Sequence, residues 1–295
     1  MEIKYIKHED IDKTKWNSCV HFATNGNVFG YKWFLDNTTE EWDGLVEGDY
    51  ESVMPLPFRL NWLKNKQVYQ PSVVRELGIY SINALSKKRI ETFFDNIPTE
   101  FKTIQMRLNE QVKFPEGQGF NTQKLENHQL YLGETYEELA DKFDRDLLLK
   151  LEEAEKIRLL PSNQLKPEKI AEFYKNHAPK TQETEETFHA LQRIMWNALH
   201  RGWGSASGVL DENKELCAVN FFIYSHGKVL SLCAAESPTG KAKNALAFSF
   251  NMLLRSHAGR PSILDFNGQN GELAKALGAQ QNHYFEIEKK SFLGL

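Results

Sequence analysis

The chain has 295 residues, 41% hydrophobic and 26% charged, with a formal net charge of -4 and a sequence pI near 6.2. Such a balance fits a soluble globular protein with room for two domains, each burying its own core. It argues against DNA or an acidic membrane surface as a partner, because either would call for a basic face.

The opening "MEIKYIKHEDIDK" lacks the apolar stretch of a secretory leader, and no segment approaches membrane-spanning length, so no membrane association is expected. Cys19, Cys217 and Cys233 form no paired framework, which points to a reducing, cytoplasmic setting. The last two sit in apolar, strand-like runs and read as small buried hydrophobes.

In chain order, "IKYIKHEDIDKTKWN" reads as strand, break, helix. "GLVEGDYESVMPLPF" (44–58) reads as a hairpin across an acidic turn. A third strand in "KQVYQPS", a helix in "ALSKKRIETFFDNI" and a strand in "FKTIQMRL" follow. The half closes with a glycine and a strand containing Asn-His, "GFNTQKLENHQLYL". The same series then returns as "IRLLPSNQLKPEKIAEFY", "GVLDENKELCAVNFF" (208–222), "GKVLSLCAAES", "NALAFSFNMLLRSH", "SILDF" and "GAQQNHYFEI". Without a gap, Gly44 falls on Gly208. The ordered repetition predicts two copies of one α/β unit, each a mostly antiparallel sheet flanked by helices.

Between the copies lies "TYEELADKFDRDLLLKLEEAEK". Thr135 with Glu138 forms a capping box, and Tyr136, Leu139, Ala140, Phe143, Leu147, Leu151 and Ala154 recur at helical spacing. The expected division is residues 1–133, a connector helix over 134–156, and residues 157–295. The connector's charges, and those of "TQETEETFHALQRIMWNALH", read as solvated helix faces.

The stretch "AAESPTGKAKNALAFSFNMLL" (234–254) is the first candidate site. It is no Walker A loop: Ala242 follows Gly240-Lys241 where a hydroxyl should hold magnesium, and Ala235 replaces the first glycine. Other chemistries find no pattern. There is no H-E-x-x-H or clustered cysteine, so no metal is expected. His177, His189 and His200 fall at ordinary helical positions, and Gly204-Ser205-Ala206 is no nucleophile elbow.

The order strand, helices, three-strand meander, loop, helix, strand, helix, strand resembles the GNAT acyltransferase superfamily. Its duplication resembles the FemAB-like branch, whose members carry tandem GNAT domains. The most specific pieces are "YKWFLDNTTEEWDGLVEGDYESVMPLPFR", "YQPSVVRELGIYS" and "ILDFNGQNGELAKALGA". The first two are similar to FemAB-like bacterial proteins of undefined substrate. The resemblance implies an α/β (α+β) fold of two tandem GNAT-like domains. It also implies an N-acyltransferase that moves an acyl or aminoacyl group from acyl-CoA, or a similar donor, to a small-molecule amine. Acetyl-CoA or another acyl-CoA would be a co-substrate, not a permanently bound cofactor.

GNAT enzymes hold the donor's pyrophosphate in a turn of pattern [QR]-x-x-G-x-[GA]. Here Ser237-Pro238-Thr239-Gly240-Lys241-Ala242 matches at Gly240 and Ala242 and departs at Ser237. Small residues let the backbone approach an anion, and the N–H groups of a helix start point toward it. Lys241 and Lys243 would add charge, and Thr239 or Asn244 hydrogen bonds. The plain alternative is a strand-to-helix turn punctuated by Pro238 and Gly240. The family's oxyanion donor is a backbone N–H on the third meander strand, here around Leu232 to Glu236. For the base, Glu236 and Asp265 are the candidates, against plain roles as a surface carboxylate and a helix cap. Asn267, Gln269 and Asn270 would face a ligand. Tyr69, Gln70 and Arg75 would line an interdomain acceptor groove, where Arg75 either clamps a carboxylate or pairs with Glu76 or Glu51.

Two departures stand out. The family's tyrosine, four residues before a glycine, is replaced by Ala274 before Gly278 and by Pro115 before Gly119. The connector keeps Arg145, Lys150, Ala154 and Lys156 of the basic pattern "RRxLRKAxK" but substitutes Leu and Glu elsewhere, which disfavours tRNA. A second expectation therefore stands beside the first: a non-catalytic ligand-binding protein that retains the fold. A homodimer is left open.

Overall fold

The computed structural model describes residues 2–110, 112, 114, 119–178 and 184–290. Its contacts divide the chain into two compact units, Met1–Leu125 with His283–Leu295, and Glu126–Asn282.

The first unit holds β1 (Ile3–Ile6), α1 (Lys13–Phe22), α2 (Lys32–Thr38), β2 (Glu41–Glu47), β3 (Ser52–Leu60), β4 (Lys66–Val68), β5 (Tyr80–Ser81), α3 (Lys87–Asp95) and β6 (Phe101–Leu108). Its strands run β1-β2-β3-β4-β6, with β5 beside β3. Only β4 and β6 are parallel. The strand β7 (Asn121–Tyr131) leads into the second unit. There follow α4 (Tyr136–Ala140), α5 (Arg145–Lys156), β8 (Leu160–Ser162), α6 (Pro167–His177), α7 (Glu185–His200), β9 (Gly204–Leu210), β10 (Leu216–Ser225) and β11 (Lys228–Glu236). The unit continues through α8 (Pro238–Ala242), α9 (Ala245–His257), β12 (Ile263–Asp265) and α10 (Gly271–Ala276) to β13 (Gln280–Lys290). Its order is β8-β9-β10-β11-β12-β7, and only β11 and β12 are parallel.

Both units thus have the same strand order and the same single parallel pair. The strands closing the two sequence halves are exchanged. Phe285–Lys290 of β13 pairs antiparallel with β6 in the first unit, while Gln129–Tyr131 of β7 pairs with β12 in the second. The units therefore differ from the division at 133 and 157, which follows the chain rather than the strand pairing.

Gly44 and Gly208 occupy matching places. Each faces the last residue of its unit's first strand, Ile6 and Ser162 respectively. Each is a glycine because a bulky side chain from the segment that follows the unit's first strand, Trp16 or Leu165, lies over it. A β-carbon at 44 would meet Trp16 Cζ3 at 2.6 Å, and one at 208 would meet Leu216 Cδ1 at 3.2 Å and Leu165 Cγ at 3.3 Å.

The expected connector is two helices, not one. Asp144 ends the first run and caps α5, its carboxylate accepting from Leu147 N at 2.8 Å, while Phe143 turns inward. The predicted stripe is buried as expected. Leu139, Phe143, Leu147, Leu151 and Ala154 join Phe222, Phe250 and Phe266 in the core of the second unit, so the connector belongs to that unit. Each such large side chain contributes about 1.5–3 kcal/mol on burial. Among the described residues, no helix is long and apolar enough to cross a membrane.

Candidate functional site

The site grows from an unequal pairing of β11. One edge pairs with β10 as far as Glu236, in a register that skips Leu232: Phe222 faces Ser231 and Phe221 faces Cys233. The other edge meets β12 only at Lys228–Leu230. Beyond it, no strand among the described residues lies across Ser231–Glu236, and the two parallel strands part.

A wedge fills the root of this gap. Asn267 Nδ2 and Gln269 Nε2 donate to Leu232 O at 3.3 and 3.2 Å. The wedge is held by Asp265, which is fully buried. Its carboxylate accepts from Asn127 Nδ2 and Gln129 Nε2, both at 3.0 Å, from Asn267 N at 2.9 Å and from Lys228 Nζ at 3.4 Å. Asn127 Oδ1 in turn accepts from Gly268 N at 2.8 Å. A carboxylate so fully engaged braces the loop. It does not line the cavity beyond.

That cavity, of about 800 Å³, opens where β11 is unpaired. Its wall includes Glu236 at the end of β11, Lys241 and Asn244 of the following turn, Asp146 and Lys150 of α5, and Glu272 of α10. Asn270 lines it as well, whereas Asn267 and Gln269 are spent on Leu232.

The turn satisfies itself to a large degree. Ser237 caps α8, its Oγ accepting from Gly240 N at 3.0 Å, and Ser237 N donates to Cys217 O at 2.9 Å. Gly240 is buried against β10, where a β-carbon would penetrate Cys217 O and lie 2.9 Å from Cys217 C. The small residue matching the family pattern is therefore required by packing. Lys243 reaches Asp211 at 3.1 Å and Glu212 at 2.7 Å, away from the cavity. Ser237, Thr239, Gly240, Ala242 and Lys243 lie off the cavity wall, leaving Lys241 and Asn244 of the predicted donor set on it.

Glu236 carries the electrostatic signature of the site. Burial pushes its carboxyl above the usual carboxylate range, against the opposing effects of the Leu246 N–H and nearby Lys241. Its Oε2 accepts from Leu246 N at 3.1 Å, so a first-turn amide of α9, which lacks an intrahelical partner, is already answered by a carboxylate.

The first-unit candidates are structural in their contacts. Tyr69 Oη accepts from Glu40 N at 3.1 Å. Gln70 bridges Val74 O and Arg107 N, at 2.5 and 2.8 Å. Arg75 is buried, paired with Glu76 at 3.0 Å and near Glu110 at 3.8 Å, between the rings of Phe29 and Tyr284. This is the plain pairing with Glu76, with the arginine buried instead of exposed. Ala274, in the tyrosine's place, is buried in α10; Pro115 lies outside the described residues.

Sequence reasoning missed Asp144, Asp146, Lys150, His177 and Glu272 as wall residues. Their signal is weak. Asp146 and Lys150 are an ordinary i,i+4 pair at 2.6 Å, and nothing in that spacing says which way α5 faces.

No family model matches the sequence, and none of the curated proteins does. Solved structures do. FemX superposes with a TM-score of 0.66 at 11% identity, covering 97% of each chain. A conserved protein of unknown function from Bacteroides thetaiotaomicron gives 0.60 at 9% identity, over 95% of this chain and 97% of the other. The tandem GNAT protein from the clavulanic acid biosynthesis pathway gives 0.55 at 11%, over 97% and 98%. The fold is the tandem GNAT, FemAB-like one. Within this tandem GNAT fold, the parted strands of the second unit are β11 and β12, and Glu236 stands at the open end of β11.

Proposed function

We propose that the chain is an N-acyltransferase that moves an acyl or aminoacyl group onto an amine, with Glu236 as general base. A half-buried carboxylate with a raised proton affinity, beside the unpaired edge of β11 in a cavity of about 800 Å³, supports this most directly. The fold shared with FemX and a tandem GNAT protein supports the reaction class.

The acceptor arrives as an ammonium and gives a proton to Glu236. The freed lone pair attacks the donor's carbonyl carbon, and backbone N–H groups on the open edge of β11 are the nearest oxyanion donors. Collapse breaks the bond to the leaving thiolate or alkoxide, which takes the first proton back from Glu236. No tyrosine is needed for that return. The nitrogen, left cationic with two hydrogens by the attack, gives its second proton to the regenerated Glu236 carboxylate and from there to solvent, leaving the neutral amide. Acyl-CoA is one donor compatible with the cavity, its phosphates meeting Lys241 and Asn244.

The test is a mass-spectrometric screen of acyl-CoA and aminoacyl-ester donors against an amine panel. Glu236→Gln should lower kcat by roughly 10²–10⁴-fold with little change in KM. A variant as fast as wild type overturns the role of Glu236, and no donor turnover in any combination overturns the reaction. The second reading, ligand binding without chemistry, is favoured by Ala274 and by the Leu246 amide already taken by Glu236. It predicts a ligand-induced rise in Tm with no product.

A further inference from the structure

A second cavity, of about 380 Å³, opens at the other end of β11, beside Lys228 instead of Glu236. The nine residues of that strand, at about 3.3 Å per step, set its two ends roughly 26 Å apart. The wall includes Tyr224, His226, Lys228, His257, Arg260 and Ser262, and among the described residues no carboxylate lines it. Two of its polar groups are uncommitted. Among the described residues, the Arg260 guanidinium forms no ion pair and no hydrogen bond. Ser262 N donates to Arg260 O at 2.7 Å and Ser262 O accepts from Leu132 N at 2.9 Å, yet the Ser262 Oγ is buried with no partner. A buried hydroxyl left in that state is a standing cost that a ligand would relieve. The neighbouring cations are engaged: Lys228 Nζ meets Asp265 at 3.4 Å, and His226 Nδ1 meets Ser225 Oγ at 2.7 Å. Burial lowers the proton affinity of His257, with the Leu253 carbonyl opposing and Arg260 adding to the effect. Its neutral ring lies on that of Tyr224, with centroids 5.6 Å apart and planes at 14°.

We propose that this second cavity binds a carboxylate carried on a small aromatic body, the carboxylate forked by Arg260 and accepting from the Ser262 hydroxyl. One uncommitted guanidinium matches one negative charge in bidentate geometry, whereas a polyphosphate would need more free cations than the wall supplies. The C-terminal end of α9 sets the same limit, because its dipole opposes an anion, even though Ser256 Oγ and Ala258 N answer the Leu253 and Leu254 carbonyls, both at 2.8 Å. The stacked rings of Tyr224 and His257, with Val229 and Pro261, give the apolar body a surface. The volume lies at the small end of ligand cavities, about 300–1,000 Å³. This site stands apart from Glu236, and the inference does not depend on the acyl-transfer reading.

Calorimetric titration of the intact chain tests it. The probes are benzoate, benzamide as its uncharged counterpart, and inorganic phosphate as an anion without the apolar body. Benzoate should bind at least about tenfold more tightly than either of the others. Arg260→Gln, at an exposed position, should weaken benzoate by at least about fivefold, and Ser262→Ala by about 3- to 10-fold. Lys241→Gln, in the first cavity, should leave benzoate affinity as it is. Without ligand, Ser262→Ala should melt no lower than wild type, because it deletes a hydroxyl that has no partner. A lower Tm for that variant would mean the hydroxyl is already answered, and overturns the proposal. Benzoate affinity unchanged in Arg260→Gln or in Ser262→Ala overturns it, as does a loss of equal size in Lys241→Gln. Benzamide or phosphate bound as tightly as benzoate does the same, and so does the absence of saturable benzoate binding below roughly 10 mM.

Discussion

Gly240→Ala separates packing from ligand binding. The added β-carbon would penetrate the Cys217 carbonyl, with Cys217 C at 2.9 Å and Glu236 Cβ at 3.3 Å. Strand β10 lies between β9 and β11, so its backbone yields little and α8 must lift instead. Overpacking of this kind costs about 1–3 kcal/mol. Lifting α8 also strains the Ser237 N to Cys217 O bond, about 0.5–1.5 kcal/mol, and the Ser237 cap, about 1 kcal/mol. Alanine returns up to about 1 kcal/mol of helix propensity. The net loss is about 2–4 kcal/mol, a fall in Tm of roughly 5–15 °C for a unit of this size. Thermal melting of the ligand-free protein measures it, with Ala242→Gly as a comparison whose cost should not exceed about 1 kcal/mol. A Gly240→Ala protein that melts with wild type while losing affinity for a phosphate-bearing donor would refute the packing argument. The glycine would then serve the approach of a ligand.

Arg75→Ala should destabilise by about 3–5 kcal/mol in denaturant titration, since it strands Glu76 in the core; a substrate-clamping arginine would lower ligand affinity and spare stability. Asp265→Asn replaces an acceptor of four donors with a group that must donate. The expected loss is about 2–4 kcal/mol, because Lys228 remains partly solvated, with the pH dependence of any transfer unchanged. Glu236 binds its proton more tightly folded than unfolded, so its contribution to stability is full below the unfolded-state pKa and is lost as pH rises through the native one. Transfer should rise across that same ionisation, with a midpoint above the usual carboxylate value, and Glu236→Gln should flatten both profiles.

What the sequence made legible is what local chemistry dictates. The apolar stripe of the connector, the Thr135 capping box and the alternation of strands with helices each follow from side chains a few residues apart. Matching Gly44 to Gly208 worked because both face a bulky group from the segment that follows the first strand, a constraint repeated with the fold. Long-range pairing was illegible. Asn127-His128 and Asn282-His283 look like equivalent closing strands, but no side chain near either records that they are exchanged. Asp265 shows the same limit in the site. Ending an apolar strand before "NGQN" marks either a base or a brace, and Asn127 and Gln129, more than a hundred residues away, decide for the brace.

The two units share a topology, yet among the described residues the gap between the parallel strands is closed in the first and open in the second, and the reason lies in the chain after the third strand. In the first unit β4 is three residues long, and the chain after it folds back over β6. Tyr69 N donates to Pro57 O at 3.0 Å, Gln70 accepts from Arg107 N, and Leu77 exchanges backbone bonds with Arg107 and Asn109 at 2.6 and 2.7 Å. The edge of β6 that would border a cleft is thereby stitched to the unit's own backbone. In the second unit β11 runs for nine residues and turns at once into α8, and the side-chain amides of Asn267 and Gln269 reach into the gap at Leu232. Of the residues conspicuous in the first half, Gln70 helps close one gap through Arg107 N, while Tyr69 and Arg75 are engaged by Glu40 N and Glu76. Glu236 is inconspicuous because what distinguishes it, a raised proton affinity at an unpaired strand edge, comes from the gap that stayed open.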